Sequence, residues 1–408
     1  MSIFDKTKQE ISGPVNIIRM EGKVGNINKV IYLFMDIHNP LSIQTECDNV
    51  YSQDLNKYFA ESFYELNDSS IKYDFFFEVK PSELAINIGS STRRKKNIYI
   101  NQVYKLFTSA FNYDADKDTV RLSRYFSNVR LHYLDVRDYL KKYLDSYFND
   151  MLDHSYEFLS SAGDSDNLSL IIKIATLIKE RIDIFVSIFR SSKPVKPSST
   201  PTIKGYNQIN QASIERIVYK IRHRYNHSDI KNILVKFFDD NVNDLAKLST
   251  SLQTTIQKIR GYAKYIKDNT GVLHKTPNGM YGYAVESNEM FKIGADIYDL
   301  LSNIHASTVD IFAKLTDVYL LRRFLDKDYV TNAIVYTGIA HSEIYVAMLA
   351  SKFGFVITHA SYMPVKNISL LNSKIKQAVK NNIDITQYIT PRTMHQCSDI
   401  TDFPKRFL

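Results

Sequence analysis

Apolar positions along this chain follow two different periods. Runs that alternate, or that have no polar break, lie near both ends, whereas three- and four-residue spacing fills the middle. Residues 15–20 and 29–38 are β-rich, and the segment 22–28 between them suits a hairpin. The second run contains Val30-Ile31-Tyr32-Leu33-Phe34-Met35, uninterrupted as in a strand covered on both faces, and Pro40 stops further pairing. A short helix is predicted over 54–63, a second strand over 73–77, a loop over 82–90, an amphipathic helix over 98–111 and a third strand over 129–134. Helical spacing then runs through 139–190, most regularly over 168–189. Residues 212–268 read as two helices broken near 239–243, 271–283 as a Gly-containing loop, and 290–325 as another helix. Next come a strand over 333–337, a turn Gly338-Ile339-Ala340-His341, a helix over 342–353 and a strand over 355–358. Ser342 is the expected N-cap and Gly354 the C-cap. Strand, helix and strand at this length form a βαβ crossover with parallel strands and a right-handed connection. One helix, 368–381, and an irregular end complete the chain.

These elements predict an α/β fold: a mostly parallel central sheet built from both chain ends, with a large central helical insertion. The expected divisions are an N-terminal α/β half at 1–138, a helical block at 139–325, a C-terminal βαβ half at 326–360, and a helix and tail at 361–408. Within the block, Pro194, Pro197 and Pro201 stand among Ser, Thr and Lys and mark an exposed loop near 191–205.

Composition narrows the function classes. With 408 residues, 44% hydrophobic and 24% charged, the chain can bury one large core or two modest ones, so general disorder is excluded. No stretch reaches about 18 uninterrupted apolar residues, so no membrane span is expected. The start Met1-Ser2-Ile3-Phe4-Asp5-Lys6 lacks the apolar core of a signal peptide. The two cysteines, Cys47 and Cys397, are not in a Cys-x-x-Cys pair and favour lone thiols in a reducing compartment over a disulfide. A cytoplasmic protein is therefore expected. The net charge of +8 includes Arg93, Arg94, Lys95 and Lys96 and the basic run 220–224. It permits weak nucleic-acid contact, as does Arg222-His223-Arg224-Tyr225-Asn226-His227, although solvated faces account for it more simply. Phosphate-loop, serine-elbow and His-Glu-x-x-His motifs are absent.

Ligands of open parallel sheets bind beyond the carboxyl ends of the strands. Four strands here finish in titratable groups. The first ends at Asp36 and His38 and the second at Glu78. The third carries His132 and ends at Asp135 and Arg137, and the fourth leads to His341. If the strands are parallel, these groups share one edge, where they would hold a divalent cation or act as general acid and base. Each residue alone is more often structural. His132 alternates with Arg130 and would face solvent, and Asp135 with Arg137 would make a local ion pair of little worth.

Leu321-Arg322-Arg323-Phe324-Leu325, the following strand, the turn to His341, and a helix ending Lys352-Phe353-Gly354-Phe355 resemble the C-terminal signature of Tiki/TraB proteins. That group belongs with erythromycin esterase and ChaN-like proteins, whose early strands end near a His and in a Glu, as Asp36-Ile37-His38 and Phe76-Phe77-Glu78 do here. The resemblance implies a hydrolase of unknown small-molecule or peptide substrate, with a divalent metal (Mn, Co or Zn) on His38, Glu78 and His341. It also implies that Arg323, or its neighbour Arg322, binds a carboxylate or steadies an oxyanion. Met35-Asp36-Ile37-His38 lacks the Gly usual in that early motif. As a whole the chain resembles uncharacterised proteins of giant DNA viruses, which share the strand–Asp-x-His start and an Arg-x-His-Tyr-x-Asp-x-Arg stretch, here Arg130 to Arg137. A viral source implies the host cytoplasm or the virion. The missing Gly, the helical block and the basic runs motivate a second expectation: a non-catalytic virion or host-interaction protein on the same fold.

Overall fold

Strands β1 (Asn16–Val24) and β2 (Ile27–Asp36) form an antiparallel hairpin, pairing from Asn16 opposite Met35 to Val24 opposite Ile27. The connection is only Gly25-Asn26, tighter than the sequence pattern suggests. Gly25 makes it possible by taking φ +56°, which L side chains adopt rarely. The structure is a computed structural model that describes all residues except 1–3, 40, 79–97, 115–118, 138–142, 161–164, 192–207, 270–272, 276–280 and 284–286. The basic run Arg93 to Lys96 and the expected loops at 82–90 and, for the most part, 191–205 and 271–283 therefore lie outside the described residues.

Strands β3 (Tyr73–Phe77), β4 (Val129–Tyr133), β5 (Asn332–Gly338) and β6 (Val356–Ala360) extend the hairpin into a six-stranded sheet of order β6-β1-β2-β5-β3-β4. Every pairing from β2 to β4 is parallel, and β1 runs opposite to both its neighbours. The chain is thus mixed α/β, with strands from both ends meeting in one sheet. Strand β5 lies between β2 and β3, so its carboxyl end falls between theirs, with Gly338 opposite Asp36. On one face Phe34, Phe75, Phe77 and Tyr336 pack against Phe59, Phe63 and Phe107 of helices Leu55–Glu65 and Ile98–Ala110. Phe75 stacks on Phe107 with centroids 4.4 Å apart. Helix Ile339–Lys352 packs against β2, β5 and β6, and helix Ile368–Lys380 packs against that helix and β6.

Lys29 is almost fully buried at the start of β2, and its Nζ donates to the carbonyls of Phe324 (2.9 Å), Lys327 (2.9 Å) and Val330 (2.6 Å). It thereby caps the C-terminus of helix Ser287–Asp326, where carbonyls lack intrahelical partners. Burial pulls its pKa down to about 8, against the pull of Asp328, Asp74 and Asp326.

The tail departs from the irregular end expected of it. Cys397–Asp399 forms a strand antiparallel to Glu10–Ser12, whose other edge pairs in parallel with Gln53–Asp54. This brings Cys397 to Cys47 across 350 residues of sequence, and the two form a disulfide with Cα atoms 4.9 Å apart. The lone-thiol expectation is corrected. Sequence separation hid a proximity that the small sheet creates.

The chain divides into two compact units. One holds both sheets just described and comprises residues 1–136, 226–230 and 319–408; the other is helical and comprises 137–225 and 231–318. In the helical unit Leu168, Ile171, Ala175, Ile178, Ile182, Phe185 and Phe189 of helix Ser165–Arg190 are all buried at three- and four-residue spacing. The expected break near 239–243 is absent: helix Ser228–Asn269 runs through it, because Phe238, Val242 and Leu245 keep the buried stripe in phase. The break falls instead at 224–227, where the Asp326 carboxylate accepts the backbone N–H of Asn226 (2.6 Å) and His227 (3.0 Å). Among the described residues no helix is long and apolar enough to cross a membrane.

Candidate functional site

Three strand ends bring His38, Glu78 and His341 together. Glu78 directly follows β3, and its backbone N–H donates to the Tyr336 carbonyl on β5 (3.2 Å). Its carboxylate then lies across the end of β5. Oε2 accepts the Gly338 N–H (2.8 Å) and faces His38 Nε2 (3.6 Å), while Oε1 faces His341 Nε2 (3.3 Å). His341 is nearly buried, whereas the His38 side chain is 43% exposed, so solvent reaches the site from the His38 side.

His341 reaches Glu78 because helix Ile339–Lys352 starts one residue after β5, with Gly338 as its N-cap. The sequence pattern predicts a turn over 338–341 and a cap at Ser342. Here His341 lies in the first helical turn, and Ser342 is buried with its Oγ 3.2 Å from Thr337 Oγ1. Extended Gly338 (φ −60°, ψ 155°) passes straight from strand to helix, which makes a separate turn unnecessary.

His38 is oriented from below by Asp36, fully buried at the end of β2, whose Oδ2 lies 2.5 Å from His38 Nδ1. His38 itself has φ +50°, a left-handed conformation unusual for a residue other than Gly and of the kind that clusters at functional sites. Burial opposes charge on His38, but hydrogen bonds and attraction from Asp36 and Glu78 prevail and lift its pKa to about 10. Burial likewise opposes charge on Glu78, yet His341 and His38 hold its pKa well below the usual carboxylate value. At neutral pH the pair is therefore His38 as cation and Glu78 as anion. Tyr336 contributes a buried hydroxyl beside Asp36, its pKa pushed well up by burial and by the Asp36 charge.

No side chain at 338 would fit unchanged: a Cβ there would sit 3.2 Å from His38 Nε2 and 3.6 Å from Glu78 Oε2. Gly338→Ala is expected to displace the imidazole, costing about 1–3 kcal/mol in urea unfolding and lowering the His38 pKa seen by NMR titration. An unchanged His38 titration would contradict this packing.

The remaining sequence candidates sit elsewhere. His132 Nε2 contacts the fully buried Asp74 carboxylate (2.6 Å), which also accepts from Arg130 Nε (2.9 Å) and Nη2 (2.5 Å). His132 also stacks on Phe76, with centroids 4.8 Å apart. The solvent-facing position expected of it is corrected, because Asp74, on the neighbouring strand, draws it against the sheet. Burial lowers the His132 pKa, the nearby Arg323 and Arg130 charges lower it further, and Asp74 opposes them. Arg323 has a buried Nε without a hydrogen-bond partner, and no hydrogen bond or ion pair joins it to His38, Glu78 or His341. Arg322 and Asp135 are buried, and Arg137 is half-buried beyond β4.

The basic run after 220 is largely engaged within the protein. Arg222 bonds Asp239 (2.7 Å) and the Phe189 carbonyl (2.7 Å), Arg224 lies over the Tyr219 ring, and His227 meets Asp328 (2.7 Å). The expected metal set also fits poorly. Two ring nitrogens of the trio are directed at one carboxylate, and among the described residues no group of three or more His, Cys, Asp or Glu is arranged to hold an ion.

Sequence reasoning missed Gln396. It is fully buried, donates to the Gly13 carbonyl (3.3 Å), and reaches Asp36 Oδ1 over a long 3.5 Å. Nothing in the local pattern around it signals a site, because only the small sheet carries it there.

Comparison with known proteins gives relatives of near-equal length. The chain is 37% identical to "uncharacterized protein R706" of Acanthamoeba polyphaga mimivirus, over 99% of this chain and 98% of the relative. It is 32% identical to "uncharacterized protein R160" of the same virus, over 99% of each. "Uncharacterized protein R161" matches at 31% over the full length of both. The likeness to giant-virus proteins thus has full-length support, whereas these matches show no likeness to Tiki/TraB, erythromycin esterase or ChaN proteins. No solved structure matches the chain. Residues 9–408 match the family of unknown function DUF5847, to which the chain belongs.

Proposed function

We propose that the protein is a hydrolase whose centre is His341, Glu78 and His38. The observation that carries this reading is one buried carboxylate, Glu78, facing two imidazoles from two other strand ends at 3.3 and 3.6 Å. A carboxylate oriented on a histidine holds the ring in place and steadies the imidazolium formed when the ring takes a proton. His341 is accordingly the general base, its ring held by Glu78 at Nε2. His38, kept cationic between Asp36 and Glu78 and open to solvent, supplies positive charge where an oxyanion develops and is the proton donor for the leaving group. The sequence-level likeness to the Tiki/TraB and erythromycin-esterase group supports the same reaction class. No step is assigned to a metal.

The test is hydrolysis by the purified chain of p-nitrophenyl acetate, p-nitrophenyl phosphate and a peptide p-nitroanilide. Turnover of at least one is expected, reduced by about 10²–10⁴ in His341→Ala. No turnover of any, or turnover unchanged in the variant, favours the alternative of a non-catalytic giant-virus protein on this fold.

A further inference from the structure

The disulfide lies one residue from Gln396, whose side chain reaches Asp36. Cys397 follows Gln396, and Cys47 follows the segment that holds Gln396 from the other side. Thr45 Oγ1 accepts the Gln396 backbone N–H (2.8 Å), and the Thr45 N–H donates to Gln396 Oε1 (3.2 Å). Gly13 N–H donates to the Gln396 carbonyl (2.9 Å), and the Cys47 N–H donates to Ser12 Oγ (3.0 Å). The side-chain amide of Gln396 is thus clamped with its oxygen on Thr45 and its NH2 directed at Gly13 and at Asp36 Oδ1. Asp36 in turn carries His38 on its other oxygen.

We propose that Gln396 is a positioning residue for the Asp36–His38 pair and that the Cys47–Cys397 disulfide sets its position, so that thiol–disulfide exchange tunes the candidate site. A dithiol supplies two electrons and two protons. The S–S bond breaks, Cys47 and Cys397 become thiols, and the dithiol leaves as its own disulfide. Cys397 is the less buried of the two. Once the clip opens, residues 45–47 and 396–398 keep the hydrogen bonds above, those from Tyr99 Oη to the Thr45 carbonyl (2.7 Å) and from Ser398 Oγ to the Pro14 carbonyl (3.0 Å), and the short strand pairing. The contact most sensitive to a small shift is the longest one, Gln396 to Asp36. Without Gln396 on Oδ1 the Asp36 carboxylate is no longer fixed from its far side, so its other oxygen shifts off His38 Nδ1 and the Asp36–His38 pairing weakens.

The groups acting on His38 are Asp36 and Glu78 directly, His341 through Glu78, and Tyr336 and Tyr99 through Asp36. Glu78, His341 and Tyr336 are remote from the clip in sequence and keep their own strand-end partners when it opens. The inference rests on Asp36 and His38 being site residues, but its test reads ring protonation and is independent of turnover.

The experiment is an NMR titration of full-length chain labelled at histidine Cε1, with His38 assigned by His38→Gln. Wild type is titrated oxidised and after reduction with dithiothreitol, and Gln396→Leu is titrated in both states. Reduction is expected to lower the His38 pKa by about one unit, a tenfold change in proton affinity. Oxidised Gln396→Leu should show the same fall, with little further change on reduction. An unchanged His38 pKa in oxidised Gln396→Leu overturns the positioning role. A reduction effect that persists undiminished in Gln396→Leu, or that is missing from wild type, overturns the coupling. If reduction unfolds the chain, the coupling also fails, and oxidised Gln396→Leu alone decides the positioning role.

Discussion

Glu78→Gln is expected to lower the hydrolytic rate by about 10²–10⁴ while leaving the chain folded. The amide has the shape of the carboxylate and still accepts the Gly338 N–H, but it removes the negative charge that both imidazoles face. His341 loses the group that would steady its protonated form. His38 keeps Asp36 but loses Glu78, so its pKa falls from about 10 toward the ordinary 6.5. Stability follows with a definite sign. A histidine whose pKa is raised by folding contributes stability that is complete below 6.5 and is lost as pH rises through about 10. A carboxylate whose pKa is depressed contributes above its ordinary 4.5, and that contribution is lost as pH falls below it. Both limbs should be flatter in Glu78→Gln. The Lys29 pKa of about 8 acts in the opposite direction on the alkaline side, since its buried charge is relieved above that pH, but it does so equally in both proteins. Urea unfolding of the two proteins across pH measures the difference; parallel curves would contradict the assigned pairings.

Asp74→Ala is expected to destabilise the chain by about 3–5 kcal/mol, the usual consequence of removing one member of a buried ion pair. Asp74 is fully buried and takes two bonds from Arg130 and one from His132, so the variant removes the His132 acceptor and leaves Arg130 the Tyr329 carbonyl. His132, already lowered by burial, loses the one group that opposes the fall. Denaturant unfolding measures the loss, and a change within 0.5 kcal/mol, the roughly neutral range of surface substitutions, would show that Asp74 carries no net load. The His38 titration should stay as in wild type. Asp74 and Glu78 thus separate two jobs: one carboxylate holds strands β3 and β4 together, and the other lies at the strand ends.

The strand-end convergence was legible in sequence because it needs only direction and register. An uninterrupted apolar run such as Val30 to Met35 indicates a strand covered on both sides, and such strands are parallel when helices cover them. Once β2, β3 and β5 are parallel neighbours, His38, Glu78 and His341 must share an edge, whatever the loops do. What could not be read was set by contacts between residues far apart in sequence. Asp239 to Asn243 suggested a helix break on polarity alone, yet the buried positions on either side stay in phase through it. His132 appeared to face solvent until its partner Asp74 came from another strand. Gln396 and the disulfide depend on a strand of three residues, too short to leave a period. The metal expectation came from residue types, which say which donors are present but not that two of them point at the third.

The most direct test of the hydrolytic centre is the rate of ester hydrolysis by wild type and Glu78→Gln from about pH 5 to about pH 11. Wild-type activity is expected to be sustained through neutral pH and to fall as His38 loses its proton near pH 10, and to be almost completely lost in Glu78→Gln at every pH. Equal rates in the two proteins, or no hydrolysis by wild type at any pH, would contradict it.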